Sequence, residues 1–135
     1  MDFFKNTTQD IMDWFDNNGE VNEVGFGDAN EFDTSTITNF PYVYIIPQAI
    51  LPQGGTTKFT YQILVTDILD ATEEPMEALN RTADIIISYA KAKGVVVEIE
   101  SLVNNTDVIY DQRANKVFGW FFNYDITIIT IDEGC

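Results

Sequence analysis

The sequence contains no histidine and one cysteine, Cys135, which is its last residue. Histidine is the most frequent general base in nucleophilic catalysis, and a single thiol has no internal partner for a disulfide. A Ser-His or Cys-His catalytic site is therefore excluded. We expect a protein that is not an enzyme, holds no cofactor and no metal ion, and matures in a reducing cytoplasm.

Basic residues are also scarce. Seven Lys and Arg stand against 22 Asp and Glu, the formal net charge is −15, and the first 57 residues contain one base, Lys5. A phosphate-binding surface needs clustered Lys or Arg, so we expect no sequence-specific nucleic-acid binding. The acidity has two open interpretations. It keeps the free protein soluble, or it lines a channel through which DNA slides without sticking.

Long hydrophobic runs are missing as well. No apolar stretch reaches the length of a membrane span, and the sequence begins without the apolar core of a secretion signal, so no membrane partner is expected. The length of 135 residues and the 45% hydrophobic content predict one globular domain over residues 1–135. Aromatic residues reach 13%, more than a core of this size needs, which indicates contacts with partner proteins.

Two segments have helical periodicity. Residues 2–17 place apolar side chains at helical spacing and end at Asn17-Asn18-Gly19, which tolerate a left-handed cap. The second helix is predicted from an N-cap at Thr72 to Lys93, with Gly94 as its stop. Its predicted apolar stripe consists of Met76, Leu79, Ala83, Ile86 and Ala90.

Period-two alternation and turn signals predict a series of strands. A hairpin is expected at Gln53-Gly54-Gly55-Thr56, between a strand bracketed by Pro41 and Pro47, with an extension over residues 49–52, and a return strand over residues 57–68. Further strands are predicted at residues 21–26, 95–102 and 117–131, and a short one at 108–110. Residues 27–39 are predicted to form a long polar loop. The fold class is α+β, a mainly antiparallel sheet with two principal helices packed on one face.

Three motifs bear faint signs of chemistry, and each has a simpler explanation. Gly25-Phe26-Gly27-Asp28 lacks the third glycine and the helix of a phosphate loop, which favours a strand exit. Asp28, Asn30 and Asp33 lack the glycine and glutamate of a calcium loop, which favours turn chemistry. Glu98 and Glu100 form a carboxylate pair, but two acids on an exposed strand are ordinarily a solvated edge.

Six apolar residues are candidates for a contact between subunits: Ile50, Leu51, Pro52, Phe121, Ile129 and Ile131. The first three lie in a predicted hairpin arm, and the others lie in a last strand with apolar residues on both faces. Ordinary core packing is the alternative for these residues. A hairpin arm that reaches the next subunit is one way to close a ring.

Four stretches together resemble the tail-terminator-like neck and tail-completion proteins of large tailed bacteriophages, the crAss-like group among them. They are residues 21–28 with Glu31 and Asp33, Phe40-Pro41, residues 64–70, and Gly119-Trp120. The resemblance runs over nearly the whole chain. It implies a tail-terminator-like α+β fold and a structural virion protein, made in the host cytoplasm and located in the neck or tail.

The resemblance further implies a homo-oligomeric ring around the DNA channel, a tail terminator or head-tail connector, with sixfold or twelvefold symmetry. Its partners would be portal, adaptor or tail proteins of the same virion. The alternative is a small acidic phage binding module, such as an inhibitor of a host protein or a DNA mimic. The −15 charge fits that alternative, although the carboxylates are scattered along the sequence.

Overall fold

A computed structural model of the chain describes residues 2–28, 39–68, 75–101 and 117–131. The elements follow in the order α1 (Phe3–Asp16), β1 (Glu23–Phe26), β2 (Tyr42–Gln53), β3 (Thr56–Ile68), α2 (Pro75–Lys93), β4 (Ile99–Ser101) and β5 (Val117–Ile129). Residues 29–38 of the predicted loop at 27–39, the N-cap Thr72, the strand at 108–110 and Cys135 lie outside the described residues.

The five strands form one sheet in the order β1-β2-β3-β5-β4. β1 pairs with β2 in parallel, and all other neighbours are antiparallel. β3 lies at the centre, with β2 on one side and β5 on the other, and its thirteen residues all pair with β5. Both helices pack on one face of this sheet. The predicted class, α+β with a mainly antiparallel sheet and two helices on one face, is confirmed.

Helix α1 begins and ends within one residue of the predicted limits. Thr8, Ile11 and Phe15 are buried against the sheet, as their spacing predicts, and the Thr8 hydroxyl lies 2.8 Å from the Tyr61 hydroxyl of β3. The helix stops where predicted, but Asn17 is not left-handed: it keeps a right-handed φ of −86°, its N–H donates to the Asp13 carbonyl, and the Asn18 N–H donates to the Phe15 carbonyl. The chain then turns at Asn18, whose side-chain oxygen accepts the Glu20 N–H.

The apolar stripe predicted for α2 is partly wrong. Ile86 is buried, but Met76 is 78% exposed. The buried line follows Ala78, Thr82, Ile85 and Tyr89, at spacings of three and four residues. The helix turns its bulkiest groups, Ile85 and Tyr89, toward the sheet, and Thr82 can follow them inward because its hydroxyl donates to the Ala78 carbonyl at 2.8 Å.

The end of α2 is confirmed in detail. Gly94 has a φ of +66°, its N–H donates to the Lys91 carbonyl, and the Val95 N–H donates to the Ala90 carbonyl. These two bonds form a Schellman motif, which needs a residue without a Cβ at the left-handed position. Val95 then packs against the core, so the motif also directs the chain back to the sheet.

The hairpin between β2 and β3 is confirmed, with Gly54 at a φ of +74° and Gln53 opposite Thr56. The bracketing prolines predict a strand boundary at Pro47, but β2 does not end there. The strand continues through it, with a register shift between Pro47 and Ala49. Pro47 lies past Ile45, the last β2 residue that pairs with β1, and an edge position with a bulge is where a sheet tolerates proline.

The core lies between the helices and the sheet, and aromatic side chains dominate it. Tyr89 stacks on Phe15 at 4.7 Å and meets Tyr124 edge-on at 5.3 Å. The Trp120 indole N–H donates to the Leu79 carbonyl at 2.8 Å. This hydrogen bond links β5 to α2. The strand predicted over residues 95–102 is shorter than expected at its start, since within the described residues 95–101 only Ile99–Ser101 pairs with β5.

Candidate interaction surface

One end of the sheet extends past the helices. We call it the arm and define it as residues 48–58 and 127–131, the β2-β3 hairpin and the end of β5. The cross-strand rows are Ile50-Phe59-Ile126, Leu51-Lys58-Thr127 and Pro52-Thr57-Ile128. Residues paired across antiparallel strands share a face, so Ile50 and Pro52 lie on the helix-bearing side and Leu51 on the other. The arm is three strands wide and two-sided.

The apolar side chains of the arm are exposed on both faces. The exposed fractions are 54% for Ile50, 47% for Leu51, 76% for Ile129 and 58% for Ile131, and Pro52 is exposed as well. Ile50 and Pro52 are exposed although they lie on the helix-bearing side, so neither helix covers these two side chains. An exposed group of large aliphatic side chains is typical of a contact surface.

The two parts of the arm are fastened to each other. The Thr130 N–H donates to the Gly55 carbonyl at 3.0 Å, and the hydroxyls of Thr57 and Thr130 lie 2.9 Å apart. A Cβ at Gly55 would lie 2.8 Å from Cδ1 of Ile131, so the glycine lets this side chain fold over the turn. Five of the six predicted contact residues are thereby brought together: Ile50, Leu51, Pro52, Ile129 and Ile131.

Phe121 is placed elsewhere. It lies in the middle of β5 on the face opposite the helices, opposite Leu64 and beside Glu100 in the ladder. There it is half-buried and packs against a second apolar cluster. Within the described residues its contacts are those of a small core, the alternative considered for this residue.

The packing of the second cluster accounts for the sequence Gly25-Phe26-Gly27-Asp28, so a phosphate-binding role is not needed to explain it. Tyr42 and Tyr44 stack at 6.1 Å over Gly25, and any Cβ there would overlap the Tyr42 hydroxyl. The Tyr44 hydroxyl donates to the Asp28 carbonyl at 3.0 Å. Burial, then the charge of Glu23 and the neighbouring Tyr44, raise the pKa of Tyr42. Gly25 thus makes room for a tyrosine pair, and a strand exit is the better interpretation.

A buried carboxylate links the second helix to the sheet. Asp67, near the end of β3, is 7% exposed and pairs with the Arg81 guanidinium at 2.6 Å. Arg81 lies on α2 and is about half-buried. A charge-assisted bond of this length holds the guanidinium and the carboxylate together, and it positions α2 over the sheet.

The other predicted motifs do not assemble into a reactive site. Glu100 lies on the edge strand β4 and Glu98 precedes it, and both side chains are exposed. Of the calcium-like residues, Asn30 and Asp33 lie outside the described residues. In the part of the chain that the structure describes, no three acidic or thiol side chains are grouped to hold a metal ion, and no helix is long and apolar enough to cross a membrane.

Sequence reasoning missed four exposed apolar residues outside the arm: Phe26, Met76, Ile87 and Val96. Met76 was assigned to a buried stripe, and Val96 to a strand that does not form at that position. It also overlooked that the arm contains a single charged side chain, Lys58, in a chain of net charge −15. That signal is readable from the sequence once the hairpin and the end of β5 are known to be neighbours. No family model matches the chain, and no curated protein matches it either.

Proposed function

We propose that the chain is a structural subunit that assembles with copies of itself through the arm, as a ring in the neck or tail of a bacteriophage. In this role it is a tail terminator or head-tail connector around the DNA channel, and it docks to portal, adaptor or tail proteins. It performs no catalysis. The observation that supports the proposal is the arm itself, a three-stranded extension with exposed aliphatic side chains on both faces.

The exposed aliphatic side chains of the arm would gain free energy if a partner buried them. Each large aliphatic side chain contributes about 1.5–3 kcal/mol when it moves from water into an apolar environment. Of the five isoleucine and leucine side chains of the arm, all but Ile128 are about half or more exposed in the single chain, so most of that gain is still unrealised. A neighbouring subunit that covers the arm would realise it.

Two copies of this acidic chain must approach each other despite their like charges. Apart from Lys58, every charge of the chain lies outside the arm, so the remainder has a formal charge of −16, which is −15 minus +1. Like charges of this size oppose self-association at low salt. A contact through the arm brings uncharged surfaces together and keeps the acidic surfaces apart. In a ring, those surfaces would repel the phosphates of passing DNA.

The test compares two aspartate substitutions at exposed apolar residues. L51D places a charge in the arm, and M76D places the same charge on α2, where the side chain is 78% exposed and outside the arm. Light scattering and negative-stain electron microscopy of the full chain, alone and mixed with portal or tail proteins, report the assembly. We expect multimers larger than a dimer for the wild type and M76D, and none larger than a dimer for L51D. A wild type that stays monomeric alone and in every mixture would contradict the proposal.

A second candidate, an acidic module that binds a basic host protein, is supported by the outer side of α1. Asp10, Asp13 and Asp16 are exposed there at three-residue spacing. This candidate predicts tight binding that weakens steeply with salt. Substituting the three aspartates with asparagine would abolish it, whereas the same substitutions would leave ring assembly through the arm intact.

A further inference from the structure

Near the arm, the outer edge of β5 has no strand partner among the described residues. β4 pairs with Trp120, Phe121 and Phe122, and among the described strands none pairs with the same side of β5 from Asn123 to Ile129. An unpaired edge presents backbone N–H and C=O groups that can extend the sheet with a strand from another chain. The residues here favour strands, since Tyr, Ile and Thr predominate.

The opposite edge of the sheet is protected. Past Ile45, β2 has no described neighbour on its outer side, but Pro47 and Pro52 remove two N–H donors and the register shifts between Pro47 and Ala49. Proline and bulges are the usual devices that prevent edge-to-edge pairing. β5 has no proline and keeps one continuous register with β3. The two edges therefore differ, and β5 is the one able to accept a strand.

We propose that the β5 edge pairs antiparallel with the same edge of a second copy, about a two-fold axis at Ile126. In this register Asp125 lies opposite Thr127 of the second copy, Tyr124 opposite Ile128, and Asn123 opposite Ile129. No two like charges face each other, which is a condition for self-pairing. The two sheets would join into one continuous sheet, with the two β5 strands as neighbours at its centre.

Charge complementarity selects a second copy as the occupant. Lys58 is the cross-strand neighbour of Thr127, and Asp125 is the neighbour of Thr60. No ion pair joins Lys58 and Asp125 within the described chain. In the dimer, the row on the face opposite the helices runs Lys58-Thr127, then Asp125-Thr60 of the second copy. The long lysine side chain reaches over the short threonine to that aspartate, and symmetry makes two such pairs.

This contact goes beyond the proposed function, because a ring does not require it and a dimer does not require a virion. It gives the arm an isologous contact, in which one patch serves both copies. The acidic parts of the two chains stay apart, since the strands meet in the nearly uncharged part of the sheet. The dimer should therefore tighten as salt screens the remaining repulsion.

The test relocates one negative charge along the edge of the full-length chain. T127D places two aspartates opposite Asp125 in the dimer, one on each side of the axis. D125T/T127D exchanges the two side chains and restores an aspartate-threonine pairing. S88D adds the same charge on the exposed side of α2 as a control. Thr127 and Ser88 are both exposed, and circular dichroism verifies that all variants fold.

Sedimentation equilibrium gives the dimer dissociation constant of each variant at about 0.15 M salt. We expect T127D to weaken the dimer at least about tenfold, D125T/T127D to restore it to within about threefold, and S88D to match the wild type. A wild type without a dimer, or equal effects of T127D and S88D, would overturn the inference. If rings still form in either case, the proposed function survives. If dimers form but rings never do, only the dimer inference survives.

Discussion

The same strands behave differently in two regions of the molecule. Under the helices, Ile45, Ile63 and Phe122 are fully buried. Further along the same strands, Ile50 faces the helix-bearing side after the register shift at Pro47 and is 54% exposed, and Ile129 lies on the opposite face and is 76% exposed. Ile50 points to the same face as Ile45 but lacks the helix cover that buries Ile45. We call the first region the body, to distinguish it from the arm.

The comparison shows that an apolar strand position is not evidence of a core. Alternation fixes the face to which a side chain points, and the layer above that face decides whether water reaches it. In the body that layer is present in the single chain. In the arm none of the described residues supplies that layer, so the arm is where we expect a partner to bind.

The largest expected effect is the difference in the free energy of unfolding between two alanine substitutions within β5. F122A empties a fully buried site in the body and should lower the free energy of unfolding by about 3–5 kcal/mol. I129A removes a mostly exposed side chain and should change it by less than about 0.5 kcal/mol. Urea denaturation at a concentration where the chain is monomeric measures both. Similar losses for the two variants would remove the distinction between body and arm.

The next contrast uses glycines. A Cβ at Gly119 would overlap the Val65 carbonyl oxygen and lie 2.9 Å from the Thr66 Cα, where backbone must move to admit it. G119A should therefore cost about 1–3 kcal/mol of stability. At Gly19 nothing lies within 4 Å, and G19A should be nearly neutral. Thermal denaturation of the two variants gives the comparison, and a neutral G119A would contradict the close approach of β3 and β5.

The third contrast concerns the buried ion pair. R81M keeps much of the side-chain volume but removes the guanidinium from Asp67, so a largely buried carboxylate loses that partner. We expect a loss of about 1–2 kcal/mol, less than for a fully buried pair because Arg81 is partly exposed. The matched control is K91M at an exposed lysine of the same helix. Chemical denaturation should separate them, and equal stabilities would show that the ion pair contributes nothing.

The smallest effect concerns Tyr89. Its hydroxyl is buried and makes no hydrogen bond of normal geometry within the described residues. Burial first, then Tyr124 and Tyr61, raises the pKa of this phenol. The unfolded chain loses the proton above pH of about 10 while the folded chain keeps it, so stability is full below that pH and falls above it.

Y89F should leave stability near pH 7 unchanged or slightly higher, because the side chain keeps its shape and loses an unsatisfied group. Above pH of about 10 it should reduce the alkaline loss by up to about 1.4 kcal/mol per pH unit, the value for one proton. Tyr61, whose pKa burial also raises, remains in the variant, so part of the loss should persist. Unfolding curves between neutral and alkaline pH measure the difference. An unchanged alkaline slope would refute the assignment.

Local chemistry explains what the sequence could predict. The limits of α1, the end of α2, the glycine turn and the alternation of β3 each depend on neighbours a few residues apart, and each is confirmed. The misses depend on distant contacts. The inward turn of Thr82 and Tyr89 on α2 requires knowing what they meet, and the passage of β2 through Pro47 requires knowing that β1 has already ended.

The candidate surface was predictable to a similar degree. Ile50, Leu51, Pro52, Ile129 and Ile131 were named from the sequence, and the cross-strand register brings them together. Phe121 shares their composition but packs beside Leu64 in a second cluster. Composition alone does not distinguish these cases, since the difference is whether another part of the same chain reaches the face. That the residues serve assembly stays a prediction.

Hydrogen exchange of the full chain at rising concentration, alone and with portal or tail proteins, tests the central claim most directly. Body amides, such as those of Ile63 and Val65, should be protected to the same extent throughout. Amides of the arm should exchange quickly in the dilute chain and become protected as it assembles. Arm amides that exchange at one constant rate under every condition would contradict the account.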